Sequence, residues 1–348
     1  MASADNRDRT ATPAVWAALV TVYVVWGTTY FAIRVTNQTL PALLAASFRF
    51  LVAGALLYAF AIRRGDVSGD RPGRRQWIAA AIVGLALPLG GNGAVAWAER
   101  TVPSSIVALI VALIPLWMAL IDGVLLGRRP SPLVAVGLLF GFGGAALLIG
   151  TSSSRAIPLA GMLFAVFASL SWASGSLYSR TAPLPKRPLV GIGMEMLVGG
   201  AGLFVVGVVA GDLGRIHPER VSRASVLALA YLIVVGSFAG FASYAWLLRN
   251  ARTSLVSTYA YVNPVVAVFL GWAFLDEPVT VRTLVAGGIV VAAVAIIISA
   301  GRERPTPEAA SGGQLAEERR DVGEPELALE GPGHAEDHRL AEDRRGDL

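Results

Sequence analysis

No cysteine occurs anywhere in the chain, which excludes disulfides, thiolate metal sites and cysteine nucleophiles. Histidine is almost absent. His217 falls in a loop, His334 and His338 fall in the tail, and none lies in an apolar segment, so histidine cannot hold a metal or haem within a membrane. The one lysine, Lys186, is followed by Arg-Pro, so no GxxxxGK[ST] loop exists to cradle phosphates and ATP-driven chemistry is set aside. Charge is scarce as well: 15% of residues, against about 25% in soluble domains.

What fills the chain instead is apolar sequence, 55% of 348 residues with a mean hydropathy of +0.61. Apolar runs of membrane-crossing length recur between short polar loops. The spans read roughly as 14–34, 40–62, 76–98, 104–126, 132–150, 158–179, 188–210, 224–249, 254–275 and 280–300. The first is too long for a signal-peptide core and lacks a small-residue cleavage site, so it is read as a retained span. Residues 1–13 are expected to be a disordered cytoplasmic N-terminus. Residues 302–348 hold 13 acidic residues against 7 arginines and are rich in Pro and Gly, a composition that predicts a disordered acidic tail. The basic balance of the remainder is therefore no sign of nucleic-acid binding.

Ten spans put both ends of the chain on one side. Loops on that side carry 16 Arg and Lys, and loops on the other side carry 7. The positive-inside rule then predicts cytoplasmic termini, and the expected location is a cell inner (plasma) membrane.

The chain is also written twice. WGTTYFAIR (Trp26–Arg34) returns as WASGSLYSR (Trp172–Arg180), 146 residues on. GNGAVAWAER (Gly91–Arg100) returns as GFASYAWLLR (Gly240–Arg249) at an offset of 149, which also pairs Pro115 with Pro264. Five spans per copy is an odd number, so the second copy, 156–301, crosses in the opposite sense to the first, 14–150. Inverted repeats of this kind build many secondary transporters around a site near the midplane.

With SFRFLVAG in the second span, ALIPLWMAL in the fourth and YAYVNPVVAVFLGWAFLDEP from Tyr259 to Pro278, the sequence resembles the EamA branch of the drug/metabolite transporter superfamily. The resemblance covers nearly all of 14–301. It implies an all-α integral membrane protein of ten transmembrane helices, two inverted five-helix repeats forming a basket, that moves small organic metabolites or drugs, often outward, by alternating access. One position departs from symmetry: Glu277 of the DEP sequence aligns with Arg128, so this acid is assigned to a loop or helix end.

Other motifs carry little. GFGGAALLIG (Gly141–Gly150) and GSFAG (Gly236–Gly240) read as small-residue helix contacts, the former having no strand before it to make a dinucleotide loop. No GxSxG serine motif is present and no second acid stands clearly at depth, so an enzyme is not expected.

The deep polar residues are the candidate site. Charge at mid-bilayer is costly and normally faces a cavity or the bundle interior. Arg49 and Glu195 stand 146 residues apart, as repeat mates. At 1.5 Å per residue they lie about 13 Å and about 10 Å in from opposite faces. Two readings stay open: they line or gate a central cavity, with Glu195 taking a proton or cationic group, or they fix the interface between repeats. Trp26, Tyr30, Asn92, Trp117, Trp172, Ser176, Tyr244, Tyr259, Tyr261 and Asn263 supply flat apolar faces and hydrogen-bonding tips suited to an amphipathic or amino-acid-like solute. Pro115 and Pro264 are candidate hinges, or static kinks. No cofactor or metal is called for. The expected partners are a small-molecule substrate, the lipid bilayer and protons. Two alternatives remain: a facilitative carrier without ion coupling, and a membrane receptor or sensor whose acidic tail recruits partners.

Overall fold

The computed structural model describes residues 12–63, 72–125, 127, 131–149, 158–251, 253–256 and 258–300. The expectations for residues 1–11, for the tail 302–348 and for Arg128 fall outside them. Every regular element among the described residues is helical.

Helix α1 (Pro13–Thr36) begins where the sequence provides a start signal. The Thr12 hydroxyl accepts from the Val15 amide at 3.3 Å and Pro13 occupies the first turn, where its missing N–H costs nothing. Thr12 and Pro13 thus belong to the helix start. α2 spans Ala42–Arg63, α3 Arg74–Ala98, α5 Pro132–Ile149, α6 Leu159–Ser179, α7 Pro188–Val209 and α10 Val281–Ala300. α4 is broken into Ser104–Val111 and Ile114–Leu125. α8 runs end to end as Arg223–Tyr231, Leu232–Ala239 and Gly240–Asn250, and α9 is Tyr259–Leu275 after a short turn of helix at Thr253–Val256. Eight of the ten are long and apolar enough to cross a membrane; α5 and α9 are shorter but equally apolar.

Two of these spans share an irregularity. Leu85–Gly93 in α3 and Leu232–Ala239 in α8 are wound as π-helix, and the repeat offset of 149 makes them overlap. Such segments widen a helix locally and cluster at functional sites.

Pairings follow the duplication. α1 packs on α8 and α9, as α6 packs on α3 and α4. The mates α2 and α7 face each other, as do α5 and α10. Small residues set the approach. At Gly54 a Cβ would meet that of Met196 at 2.8 Å, and at Gly193 one would meet the Tyr58 backbone at 2.9 Å. Gly141 and Gly144 admit Leu116, Ile289 and Val290 in the same way, the helix contact expected of GFGGAALLIG. Large apolar side chains such as Val20, Leu56, Leu139 and Val209 point outward, as lipid-facing surfaces require. We call the end at which α1 begins proximal and the other distal.

Candidate functional site

At the distal end the helices are tied together by polar contacts. α9 stops because Asp276 takes a left-handed conformation, φ 51°, which turns the chain back and carries Glu277 into the bundle. The Glu277 carboxylate then closes the first turn of α4. It accepts from the Ser104 amide at 2.7 Å and hydroxyl at 2.8 Å, and from the Ser105 amide at 3.0 Å and hydroxyl at 2.5 Å. An acid here satisfies orphan amides and faces the positive end of a helix dipole. The sequence reading placed Glu277 at a loop or helix end, where it lies, but not in this role, because the cap joins segments about 170 residues apart. Further ties are Asn37 Nδ2 to the Ala96 carbonyl at 2.8 Å, the Leu43 amide to Asp212 at 3.1 Å and the Ser225 hydroxyl to the Val35 carbonyl at 2.8 Å. Arg34 donates to the carbonyl of Glu99.

Below this belt lies a central chamber of about 90 Å³ lined by Trp26, Tyr30, Arg49, Asn92, Trp172, Tyr259, Asn263 and Pro264, among others. Arg49 is only 4% exposed. Its Nε donates to the Ser237 hydroxyl at 2.9 Å, and its guanidinium carbon lies 4.8 Å from the Phe50 ring centroid. Ser237 belongs to the π segment of α8, and Asn92 to that of α3, so both irregular turns deliver polar groups to the chamber or to its arginine. Asn263, its amide oriented to satisfy its neighbours, donates to the Tyr23 and Tyr259 carbonyls at 3.2 and 3.3 Å.

Aromatic rings form the floor. Trp26 packs on Phe241, Tyr244 and Tyr259 with centroids 5.2, 5.0 and 5.2 Å away. Its repeat mate Trp172 lies against Gly91, where a Cβ would meet the indole at 2.7 Å; Trp26 lies against Gly240, where the distance would be 2.6 Å. Gly91 and Gly240 are themselves mates at offset 149. Each copy therefore supplies one indole and the glycine that admits the other copy's indole.

The same rings roof a proximal chamber of about 700 Å³, which Trp26, Trp172, Phe241 and Tyr259 share with the central one. Pro115, Ser176, Arg180, Glu195 and Tyr244 line it down to the loop residues Leu184 and Pro185. This volume suits a small organic ligand.

Arg49 and Glu195 do not pair. Arg49 stands in the central chamber with its hydrogen bond to Ser237, and Glu195 lines the proximal one. Repeat symmetry placed one charge in each half of the path rather than two in contact. Two further residues lie away from the chamber walls. Trp117 Nε1 donates to the Ser169 hydroxyl at 3.0 Å while its ring packs on Phe142, and Tyr261 packs against the hydrophobic core. Both belong to helix packing instead of the cavity. The two prolines differ. Pro115 sits one residue inside the second piece of α4, just after the break, whereas Pro264 lies within a continuous α9.

One residue was missed altogether. Glu99, one residue beyond the span that ends at Ala98, is 0% exposed, and neither carboxylate oxygen has a hydrogen-bond partner. Burial holds its carboxyl well above the usual carboxylate range; Glu277 adds to the shift, and Arg34 and Arg49 oppose it. Above it, Arg34, Asn37, Gln38, Arg100, Leu275 and Glu277 complete a distal vestibule of about 290 Å³. The last position of GNGAVAWAER but one gave no signal, since its mate at offset 149 is Leu248.

A duplicated ten-helix membrane bundle with chambers stacked along its axis is a transporter's architecture. The chain belongs to the EamA-like transporter family, whose sequence profile matches residues 13–150 and 159–299. It is a multi-pass membrane transporter and not an enzyme. It is 37% identical over 284 residues to the inner membrane transporter YedA of Escherichia coli K12, covering 81% of this chain and 90% of that protein. It is 29% identical to protein PecM of Dickeya dadantii, over 79% of this chain and 88% of that one. A WAT1-related chloroplastic protein of Arabidopsis thaliana is 25% identical over 81% of this chain and 69% of its own length. Among solved structures that share the fold is a crystal structure with a TM-score of 0.56 and 21% identity, over 83% of this chain and 98% of the other.

Proposed function

We propose that this protein is a secondary exporter of small amphipathic organic solutes in a cell inner membrane, working by alternating access with both termini cytoplasmic. The excess of arginine on the proximal side supports that orientation, and the inner-membrane relative YedA supports the location. The proximal chamber then faces the cytoplasm and the belted distal end is shut, an arrangement suited to loading a solute from inside.

The observation that carries the substrate reading is Arg49, a nine-tenths-buried guanidinium on a chamber wall with one hydrogen bond to Ser237. It can hold a carboxylate or other anionic end with two parallel hydrogen bonds. The 90 Å³ chamber takes a head group, not a whole solute, so the flat apolar body lies among Trp26, Trp172 and Tyr259 at the roof of the larger chamber. Glu195 offers the opposite charge lower down, for an amino group of the same solute. A proton gradient is the proposed energy source.

Reconstituted liposomes loaded with aromatic carboxylates or their carboxamides test this. Wild-type protein should favour the acid at least tenfold, and Arg49→Gln should abolish that preference. Arg49→Lys, keeping charge without the fork, should fall between them. Equal transport of acid and amide by wild type, or a preference unchanged in folded Arg49→Gln, overturns the assignment.

A further inference from the structure

Glu99 is a buried acid on the wall of the distal vestibule, and the substrate reading above does not use it. It is fully buried and its carboxylate has no donor. Arg34 spends its hydrogen bond on the Glu99 carbonyl, not on the side chain. The charged and titratable groups around it are Arg34 and Tyr30 from α1, Arg49 from α2, Glu277 from the turn after α9 and Arg100 beside it. An ionised carboxylate stripped of water and donors is strongly disfavoured against the neutral acid. Arg34 and Arg49 offset part of that cost without bonding to it, and Glu277 adds to it. Immediately above is the vestibule, whose lining includes Glu99 itself. Any parting of the distal belt therefore wets this carboxylate among the first groups.

We propose that Glu99 is a proton-binding site coupled to the distal seal: the seal closes over the protonated acid and opens over the carboxylate. On closing, a carboxylate oxygen takes a proton from hydronium in the vestibule and leaves a water molecule. On opening, the O–H bond breaks and the proton returns to a vestibule water, where the carboxylate is hydrated and free to meet Arg34 or Arg100. The sign follows from linkage. The closed state binds the proton more tightly, so acid favours it, and the open state gains as pH rises. One site can change the ratio of open to closed by at most about tenfold per pH unit. The inference rests on the alternating-access reading but not on any substrate.

The test exploits the absence of cysteine. Spin labels at Gln38→Cys and Val281→Cys, on the α1 and α10 sides of the distal end, report its opening in lipid nanodiscs from pH 5.5 to 8.5. The long-distance population should grow with pH by up to tenfold per unit. Added Glu99→Gln, which mimics the neutral acid, should hold the short distance at every pH and unfold no earlier than its parent on heating. A pH-independent parent, a response that survives Glu99→Gln, or a Glu99→Gln protein that does not fold each overturns the proposal. A pH response of the seal without solute movement in liposomes would instead sink the exporter reading and leave the Glu99 site standing.

Discussion

The two ends of the bundle solve opposite problems. Distally, hydrogen bonds from side chains cross between α1, α3, α4, α8 and the turn after α9, and the residues that make them are mostly buried. Proximally the helices part around 700 Å³ of space, and the side-chain bonds across helices among the described residues there include Arg187 to the Ala61 carbonyl at 2.8 Å and Tyr23 to Thr258. Two copies of one sequence pattern thus stand in different states at their two ends. Under the proposed alternating access, the difference teaches where the closed state is stabilised. Buried polar groups hold a geometry only while all of them are satisfied, so the distal belt is stable as a set and vulnerable at single residues.

Glu277→Ala is the change expected to do most damage. It removes one acceptor from four donors, two of them amides in the first turn of α4. Leaving such donors buried and unpaired costs about 1–3 kcal/mol each at most, so a loss of about 4 kcal/mol is expected after the serine hydroxyls turn to other acceptors. Thermal unfolding in detergent should show it as a large drop in Tm, and the distal labels should report opening at every pH. Glu277→Gln, which keeps one acceptor oxygen, should lose roughly half as much. If both variants match wild type, the distal end is not held by this cap.

How far this contrast was legible beforehand depends on the kind of residue. Trp26 and Trp172 were legible, because a repeated motif with a large aromatic at fixed offset marks one place in each copy, and both line the two chambers. The helices were legible from apolar length alone, even where α4 breaks. Arg49 and Glu195 were legible as deep charges but not in their company. Sequence symmetry gives equivalent positions across a pseudo-two-fold, whereas contact depends on which neighbours a helix face meets. Glu99 and Glu277 were not legible in their roles for a related reason. Each breaks the symmetry of its copy, and its meaning lies in groups from distant segments: Ser104 and Ser105 for one, the missing donor for the other. Trp117 looked like a cavity residue because depth in a span says nothing about the direction a ring points.

The shared floor between the chambers comes next in size. Gly240→Ala would drive a Cβ to within 2.6 Å of the Trp26 indole nitrogen, and Gly91→Ala to within 2.7 Å of the Trp172 ring. Each ring is hemmed in by neighbours, so overpacking of about 1–3 kcal/mol is expected, together with weaker solute binding. If the two copies contribute equally, the two variants should lose similar amounts of both. A loss confined to Gly240→Ala would show that the cluster of Trp26, Tyr244 and Tyr259 alone sets the floor.

Trp117→Phe should do least, and for that reason it separates packing from lining most sharply. The indole gives one hydrogen bond, 3.0 Å to the Ser169 hydroxyl, and an edge contact to Phe142 with centroids 4.6 Å apart. Phenylalanine keeps most of the apolar contact. Ser169 keeps its own bond to the Val166 carbonyl at 2.7 Å, so no donor is stranded and the cost should be about 1 kcal/mol. Solute affinity in reconstituted liposomes should not move. Trp172→Phe removes a ring that faces both chambers, and there affinity should fall several-fold at a similar cost in stability. A Trp117→Phe protein with altered affinity and unaltered Tm would overturn the purely packing role assigned to Trp117.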